Sequence, residues 1–337
     1  MNTILVLTAL ELERQAVLAH LEDVQQELHP ETKTDYKVGY YQIPTGRVKV
    51  VVGKTDQTNT NAGIETERAL TYFSPSHAFF VGVAGGLKDV KVGDIVIGKA
   101  VFGYERGKET DRGLLYRPQF GLSSYDLERI ADAYGNSDEW KTKSAVLVNS
   151  EFSPSILVYS GTIAAGEKVL ADIDSETLNF IRTNVSNALA IEMEGLGFLE
   201  ACRHFSQIKT LLLRGISDLI KGKDCTDEKG SQPYASQNVS AFLFGIIDKL
   251  SQQSNPLDLK NKLLEVAYKL YPKGLEDKNI WERAGGQLHE INLNRSGGEQ
   301  WFEALKLIDN GGGHVTFQTL IQMMKEDFSN NGLLKSL

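Results

Sequence analysis

The sequence predicts an α/β fold, with a mainly parallel central sheet flanked by helices and a small all-α domain at the carboxyl end. Three observations carry that expectation. Short apolar runs alternate with stretches of helical spacing over the first 250 residues, the character of the chain changes at Ser251, and 337 residues exceed the ~100–200 usual for one domain.

Residues 4–10, ILVLTAL, form an apolar run, and Glu11, Glu13 and Arg14 begin a helical period, which reads as strand, turn and helix. Residues 38–52 contain two runs rich in Val, Ile and Tyr around Pro44, Thr45 and Gly46, a hairpin signal. A helix is expected over 60–73. Residues 78–83 are continuously apolar and closed by Gly85 and Gly86, and residues 94–102 repeat the pattern after Gly93, so both read as buried strands. Further strands are expected at 157–163, 189–191 and 210–213, with helices near 175–184, 194–204 and 236–251.

Residues 251–256, SQQSNP, read as a polar linker between a domain at 1–250 and one at 257–337. Leu257, Leu263, Leu264, Ala267, Leu270 and Tyr271 make one apolar helical stripe, stopped by Pro272 and Gly274. Helices near 279–283, 298–308 and 316–328 complete a small bundle.

A net charge of −8 argues against a nucleic-acid polymer as partner, because such binding draws on clustered Lys and Arg. Cys202 and Cys225 make no disulfide framework, which suits a reducing cytoplasm. The amino terminus lacks a basic n-region, and no apolar run approaches the ~20 residues of a membrane span. None of the six histidines stands at zinc-ligand spacing, so neither a metal nor another cofactor is expected.

Carboxylates gather at the ends of the expected strands, where ligands of parallel sheets bind. Glu13 follows the first strand, although acidic residues in a helix's first turn also suit the macrodipole. Glu192 and Glu194 flank Met193 at a strand-to-helix junction, where, taken alone, a capped helix accounts for such a pair more often than a site does. Arg214, Ser217 and Asp218 bring a cation, a hydroxyl and a carboxylate to one strand end, a run that also fits a helix N-cap. The glycines at 82, 85 and 86 lack the GxGxxG spacing and read as a close-approach turn, with or without a ligand. An acid for a departing base and a carboxylate to activate water would suffice for glycosidic cleavage.

Taken in order, TALELE at 8–13, VGVAGGL at 81–87, VGDIV at 92–96, Ser160 with Gly161, IEME at 191–194 and RGISD at 214–218 resemble the purine nucleoside phosphorylase superfamily. The nearest branch looks like the methylthioadenosine/S-adenosylhomocysteine nucleosidases. The resemblance implies that Glu13 activates water, that Glu194 holds the ribose diol with Met193 against the sugar, and that Asp218 protonates the purine at N7. It implies further contacts from Val83, Gly85, Ala164, Glu192, Arg214 and Ser217, and an oligomer of at least two subunits.

Phosphorylases of the superfamily hold phosphate with arginines where this chain has Thr8, Ala9 and Leu10, and Val83 and Ala84, so the resemblance favours hydrolysis. Ala164 stands where the nucleosidases stack an aromatic ring on the base, and Val83 replaces a serine. Arg106, Lys108, Arg117, Lys221 and Lys223 are candidate contacts for a 5′-phosphate, or solvated surface charge. Tyr271, Trp281, Trp301 and Phe302 lie in segments that resemble the first type of effector-associated domain of bacterial conflict systems, which implies a protein partner. The expected function is hydrolysis of a purine nucleoside or nucleotide, such as ATP, in antiviral defence. A salvage nucleosidase or phosphorylase, or a nucleoside-sensing module without turnover, are the alternatives.

Overall fold

The computed structural model describes residues 3–43, 46–111, 113–147, 155–170, 172, 174–219, 230–252, 256–311, 314–329 and 331–336. The chain divides into two compact units, Met1–Gln252 and Gln253–Leu337.

The strands of the first unit are β1 (Thr3–Thr8), β2 (Glu22–Leu28), β3 (Asp35–Ile43), β4 (Gly46–Lys54), β5 (His77–Gly86), β6 (Ile95–Gly103), β7 (Gly107–Thr110), β8 (Gly113–Tyr116), β9 (Gln119–Leu122), β10 (Val158–Ala165), β11 (Ala188–Glu192) and β12 (Lys209–Leu219). Its helices are α1 (Glu11–Leu18), α2 (Asn59–Phe73), α3 (Tyr125–Gly135), α4 (Asp138–Leu147), α5 (Glu176–Asn184), α6 (Gly195–Cys202) and α7 (Ser231–Gln252).

Strands β5, β12, β6, β10 and β11 close into a ring, because β11 returns to pair with the end of β5 through Ala190 with Gly86 and Ile191 with Gly85. From β5 the sheet runs on through β1, β4, β3 and β2, while β9 pairs with β6. The expectation of a mainly parallel sheet is corrected here. The pairs β1–β4, β1–β5, β5–β12, β6–β10 and β10–β11 are parallel, whereas β2–β3, β3–β4, β5–β11, β6–β9 and β6–β12 are antiparallel. The physical reasons are the meander β2–β3–β4, whose short connections force reversal, and the ring closure by β11.

The alternation within β1 explains why helices cover both faces. Ile4 and Val6 pack with Val50, Phe79, Leu213 and the α7 residues Phe242 and Ile246. Leu5 and Leu7 turn the other way, towards Phe80, Leu70 of α2 and Phe198 of α6. Strand β12 extends well beyond the expected 210–213 and carries Ser217 and Asp218 within it. The hairpin turn expected at 44–46 falls partly on Pro44 and Thr45, outside the described residues, as do Cys225 and 253–255 of the expected linker. Ser251 and Gln252 belong to the end of α7.

In the second unit Pro256–Leu270, Ile280–Arg283, Gly297–Asp309 and Phe317–Asp327 are helical. Ser296 and Glu299 form a capping box at the start of the third of these. Trp281 and Trp301 are wholly buried, and Trp301 Nε1 donates to the Tyr271 carbonyl at 3.1 Å, which makes both tryptophans core residues. Phe302, by contrast, is 53% exposed.

Candidate active site

The turn from β1 into α1 sets the first carboxylate. Glu13 Oε2 accepts the backbone N–H groups of Ala9 at 2.9 Å and Leu10 at 2.8 Å, and its Oε1 accepts that of Val83 at 2.8 Å. Burial pushes its pKa up, against the opposing pull of Arg214 and of these donors. Gly82 permits this arrangement, since a Cβ there would lie 2.6 Å from Glu13 Oε1 and would also meet Arg214 Nη1. The neighbouring Glu11 is different: it lies at the surface and pairs with Arg14 at 2.8 Å.

Strand β11 delivers the second group. Glu192 Oε2 accepts the N–H groups of Glu194 at 2.9 Å and Gly195 at 2.7 Å, fixing the entry into α6. Arg214 Nη2 bonds Glu192 Oε2 and reaches Glu194 Oε2 at 3.2 Å, while its guanidinium lies 4.7 Å from the centre of the Phe80 ring. The Thr58 N–H donates to Glu194 Oε1 at 3.3 Å. Burial raises the Glu194 pKa to about 7, Arg214 opposing the rise while Glu192 and Glu13 add to it.

Strand β12 delivers the third. Its register against β5 shifts between Ile216 and Asp218, and such an irregularity re-aims side chains. Asp218 thereby stands beside Gly85, and Ser217 Oγ donates to Asp218 Oδ2 at 2.7 Å.

These groups share one cleft. Glu13, Val83, Gly85, Glu192, Met193, Glu194, Ser217 and Asp218 line it, together with Leu10, Gln57, Lys168, Val169, Leu170 and Gln232. Of the last six, Lys168 is the one charged residue and the rest are apolar or amide side chains of turns and helix ends, and none was picked out in the sequence as a cleft contact.

Several expected contacts lie elsewhere. Arg214 is wholly buried behind the cleft, tied to the two glutamates and absent from the lining. Ala164 is also fully buried, in a cluster with Phe102, Tyr104 and Ile191, so it offers no surface to a base. Arg106, Lys108 and Arg117 are exposed on and beside the β7–β8 hairpin, and Arg106 borders a separate depression with Asn59, Glu105 and Gly166. Lys221 and Lys223 lie outside the described residues. Among the described residues no group of three or more His, Cys, Asp or Glu is arranged to hold a metal ion. None of the described helices is long and apolar enough to cross a membrane.

Residues 3–248, well over half of the chain, match the Phosphorylase superfamily. The chain belongs to that superfamily. This superfamily member is 28% identical over 200 residues to the 5′-methylthioadenosine/S-adenosylhomocysteine nucleosidase of Haemophilus influenzae, which covers 56% of the chain and 76% of that protein. It is 28% identical over 183 residues to the ATP nucleosidase Cap17 of Escherichia coli, covering 50% of the chain and 36% of that longer relative. These relatives are nucleosidases, which are N-glycosyl hydrolases. Among solved structures, the futalosine hydrolase of Helicobacter pylori superposes with a TM-score of 0.60 at 21% identity, covering 74% of this chain and 98% of that one. The methylthioadenosine/S-adenosylhomocysteine nucleosidase of Neisseria meningitidis, in complex with methylthio-immucillin-A, gives 0.59 at 20% identity, covering 74% and 100%. Both share the fold of the first unit.

Proposed function

We propose that the first unit is a purine N-glycosidase that hydrolyses the bond between base and ribose in a nucleoside or nucleotide. The observation that carries this reading is the convergence of Glu13, Glu194 and Asp218 on one cleft from three different strand ends. Asp218, its Oδ2 engaged by Ser217, passes a proton to the purine N7. Glu194 accepts the two ribose hydroxyls, with Met193 against the sugar. Glu13 takes a proton from the attacking water, a role that its raised pKa suits. Hydrolysis rather than phosphorolysis is favoured because none of the described residues lining the cleft is an arginine.

The finer reading is an effector of antiviral defence that depletes an adenine nucleotide such as ATP in the cytoplasm. Its support is the similarity to an ATP nucleosidase together with the second, helical unit, which resembles an effector-associated domain and would recruit a protein partner. A homo-oligomer of at least two subunits belongs to the same reading. The fuller coverage of a methylthioadenosine/S-adenosylhomocysteine nucleosidase, 76% of its length, favours a salvage activity as the second reading.

The deciding experiment incubates the full chain with purine nucleosides and nucleotides, with and without inorganic phosphate, and separates the products by chromatography. Free base released without phosphate is the expected result. Strict dependence on phosphate would replace hydrolysis with phosphorolysis, and unchanged substrates throughout would leave a ligand-sensing module.

A further inference from the structure

We propose that Lys168 binds the departing purine and stabilises the electron density that collects on it as the glycosidic bond breaks. The proposal rests on the reading that this cleft releases a purine. Four carboxylates, Glu13, Glu192, Glu194 and Asp218, line the cleft, and among the described lining residues Lys168 is the one cation.

Its position is set by the turn after β10. The Gly166 N–H donates to the Glu192 carbonyl at 3.2 Å, and Asn59 Nδ2 donates to the Gly166 carbonyl at 3.0 Å, so the turn is rooted on the strand end that carries the glutamates. Two residues beyond Lys168, Leu170 packs against the cluster containing Ile191. Gly85 lies beside both Ile191 and Asp218, since a Cβ there would be 3.4 Å from Ile191 Cγ2 and 3.3 Å from Asp218 Oδ1. Residues 168–170 and Asp218 line the same cleft, the one in which the proposed reading releases the base. The Lys168 ammonium forms an ion pair with Glu105 Oε1 at 3.6 Å, longer than a hydrogen bond, and the side chain is 69% exposed. Glu105 is itself held by the Glu167 N–H at 2.8 Å. This loose tether leaves ammonium donors available to a ligand.

The chemistry gives such a donor a task. The C1′–N9 bond breaks with its electron pair leaving on the purine, and a water oxygen forms the new bond to C1′. Asp218 supplies a proton to N7, Glu13 takes one from the water, and both carboxyl groups are reset by exchange with solvent. Until N7 is protonated, negative charge is spread over the purine ring nitrogens while the nearby carboxylates oppose it. An ammonium at the ring edge acts on the charge that develops in the transition state, and its own protons stay in place.

The test compares the wild-type full chain with Lys168→Met and Lys168→Arg, using the purine nucleoside that releases most base. Lys168→Met is expected to lower kcat by ~10²-fold with little change in KM, and Lys168→Arg to recover most of the loss. The N7-methylated form of the same nucleoside leaves as a neutral base, so with it Lys168→Met is expected to lose less than about 3-fold. Equal losses on both substrates, or an unchanged kcat, overturn the proposal. A calorimetric titration with free adenine separates this failure from failure of the purine reading. A wild-type chain that neither releases base nor binds adenine removes the purine reading and the proposal together.

Discussion

Arg214 Nη2 lies 3.2 Å from Glu194 Oε2, the arginine wholly buried and the glutamate 5% exposed in the wall of the cleft. The same guanidinium bonds Glu192 and acts on Glu13, so one cation balances three buried carboxylates. Its role is to hold the cluster in place from behind the cleft. Removing one partner of a buried pair leaves an uncompensated charge, at a typical cost of ~3–5 kcal/mol. Arg214→Met is therefore expected to lose about that much stability in denaturant unfolding, and to release base at least ~10-fold more slowly through misplacement of Glu194. Arg214→Lys keeps the charge but not the planar fork, and should fall between the two. A methionine variant with wild-type stability would remove the cluster from the account of this fold.

The pKa of Glu194, raised to about 7 by burial, gives the protein a signature in pH. The unfolded chain holds this proton only below its ordinary value near 4.5. Between that value and about 7 the folded state thus binds more protons, and stability falls as pH rises through the window. Glu194→Gln should flatten that fall, by up to ~3 kcal/mol between pH 4.5 and 8. Denaturation midpoints at several pH values check this. On the proposed reading, in which the ionised carboxylate accepts the ribose hydroxyls, kcat/KM should rise through the same range in the wild type.

Asp218→Asn should abolish base release, by ~10²–10⁴-fold, while leaving the unfolding midpoint close to that of the wild type. Ser217 fixes one oxygen of Asp218 at 2.7 Å, so Ser217→Ala should cost only about 10-fold. Chromatographic rates of base release measure both. A fully active Asp218→Asn protein would take this residue out of the acid role.

Glu13→Gln should bind a purine nucleoside with affinity near that of the wild type and yet fail to hydrolyse it. The amide keeps the side chain's size and one acceptor for the three backbone donors but cannot take a proton from water. Calorimetry and single-turnover assays separate the two effects, and retained hydrolysis would mean that water is activated elsewhere.

How much of this was legible in the sequence depended on periodicity. β1 and β5 announced themselves as apolar runs because both of their faces are covered. β2, with the sequence EDVQQEL, lies at the sheet edge almost wholly exposed and offers no apolar alternation to read. Within the site, Glu13, Glu194 and Asp218 stood at strand ends where a pattern could find them. Arg214 looked like a cleft cation because it shares with Ser217 and Asp218 a short run at the end of the strand expected over 210–213, whereas β12 continues through Asp218. The register shift between Ile216 and Asp218 breaks the strand's alternation, so the arginine and the aspartate have different surroundings. Lys168 lies in a turn, where no period marks which way a side chain points.

The two units should also separate cleanly. The three apolar clusters of the first unit draw only on residues between Ile4 and Leu250, and the cluster of the second only on residues between Leu263 and Leu334. A chain ending at Gln252 therefore keeps every buried apolar side chain of the sheet and its helices, including the α7 residues Phe242, Leu243 and Ile246 that cover one face. It is expected to be soluble, to unfold cooperatively, and to retain the charge cluster around Arg214. Where the full chain releases base, the fragment should do so with kcat within ~3-fold, because every described residue lining the cleft lies before residue 253. Circular dichroism, denaturant unfolding and the base-release assay on the fragment check this. An insoluble or molten fragment would show that the core of the first unit needs residues beyond 252, and a folded but inactive one would move the control of turnover into the helical unit.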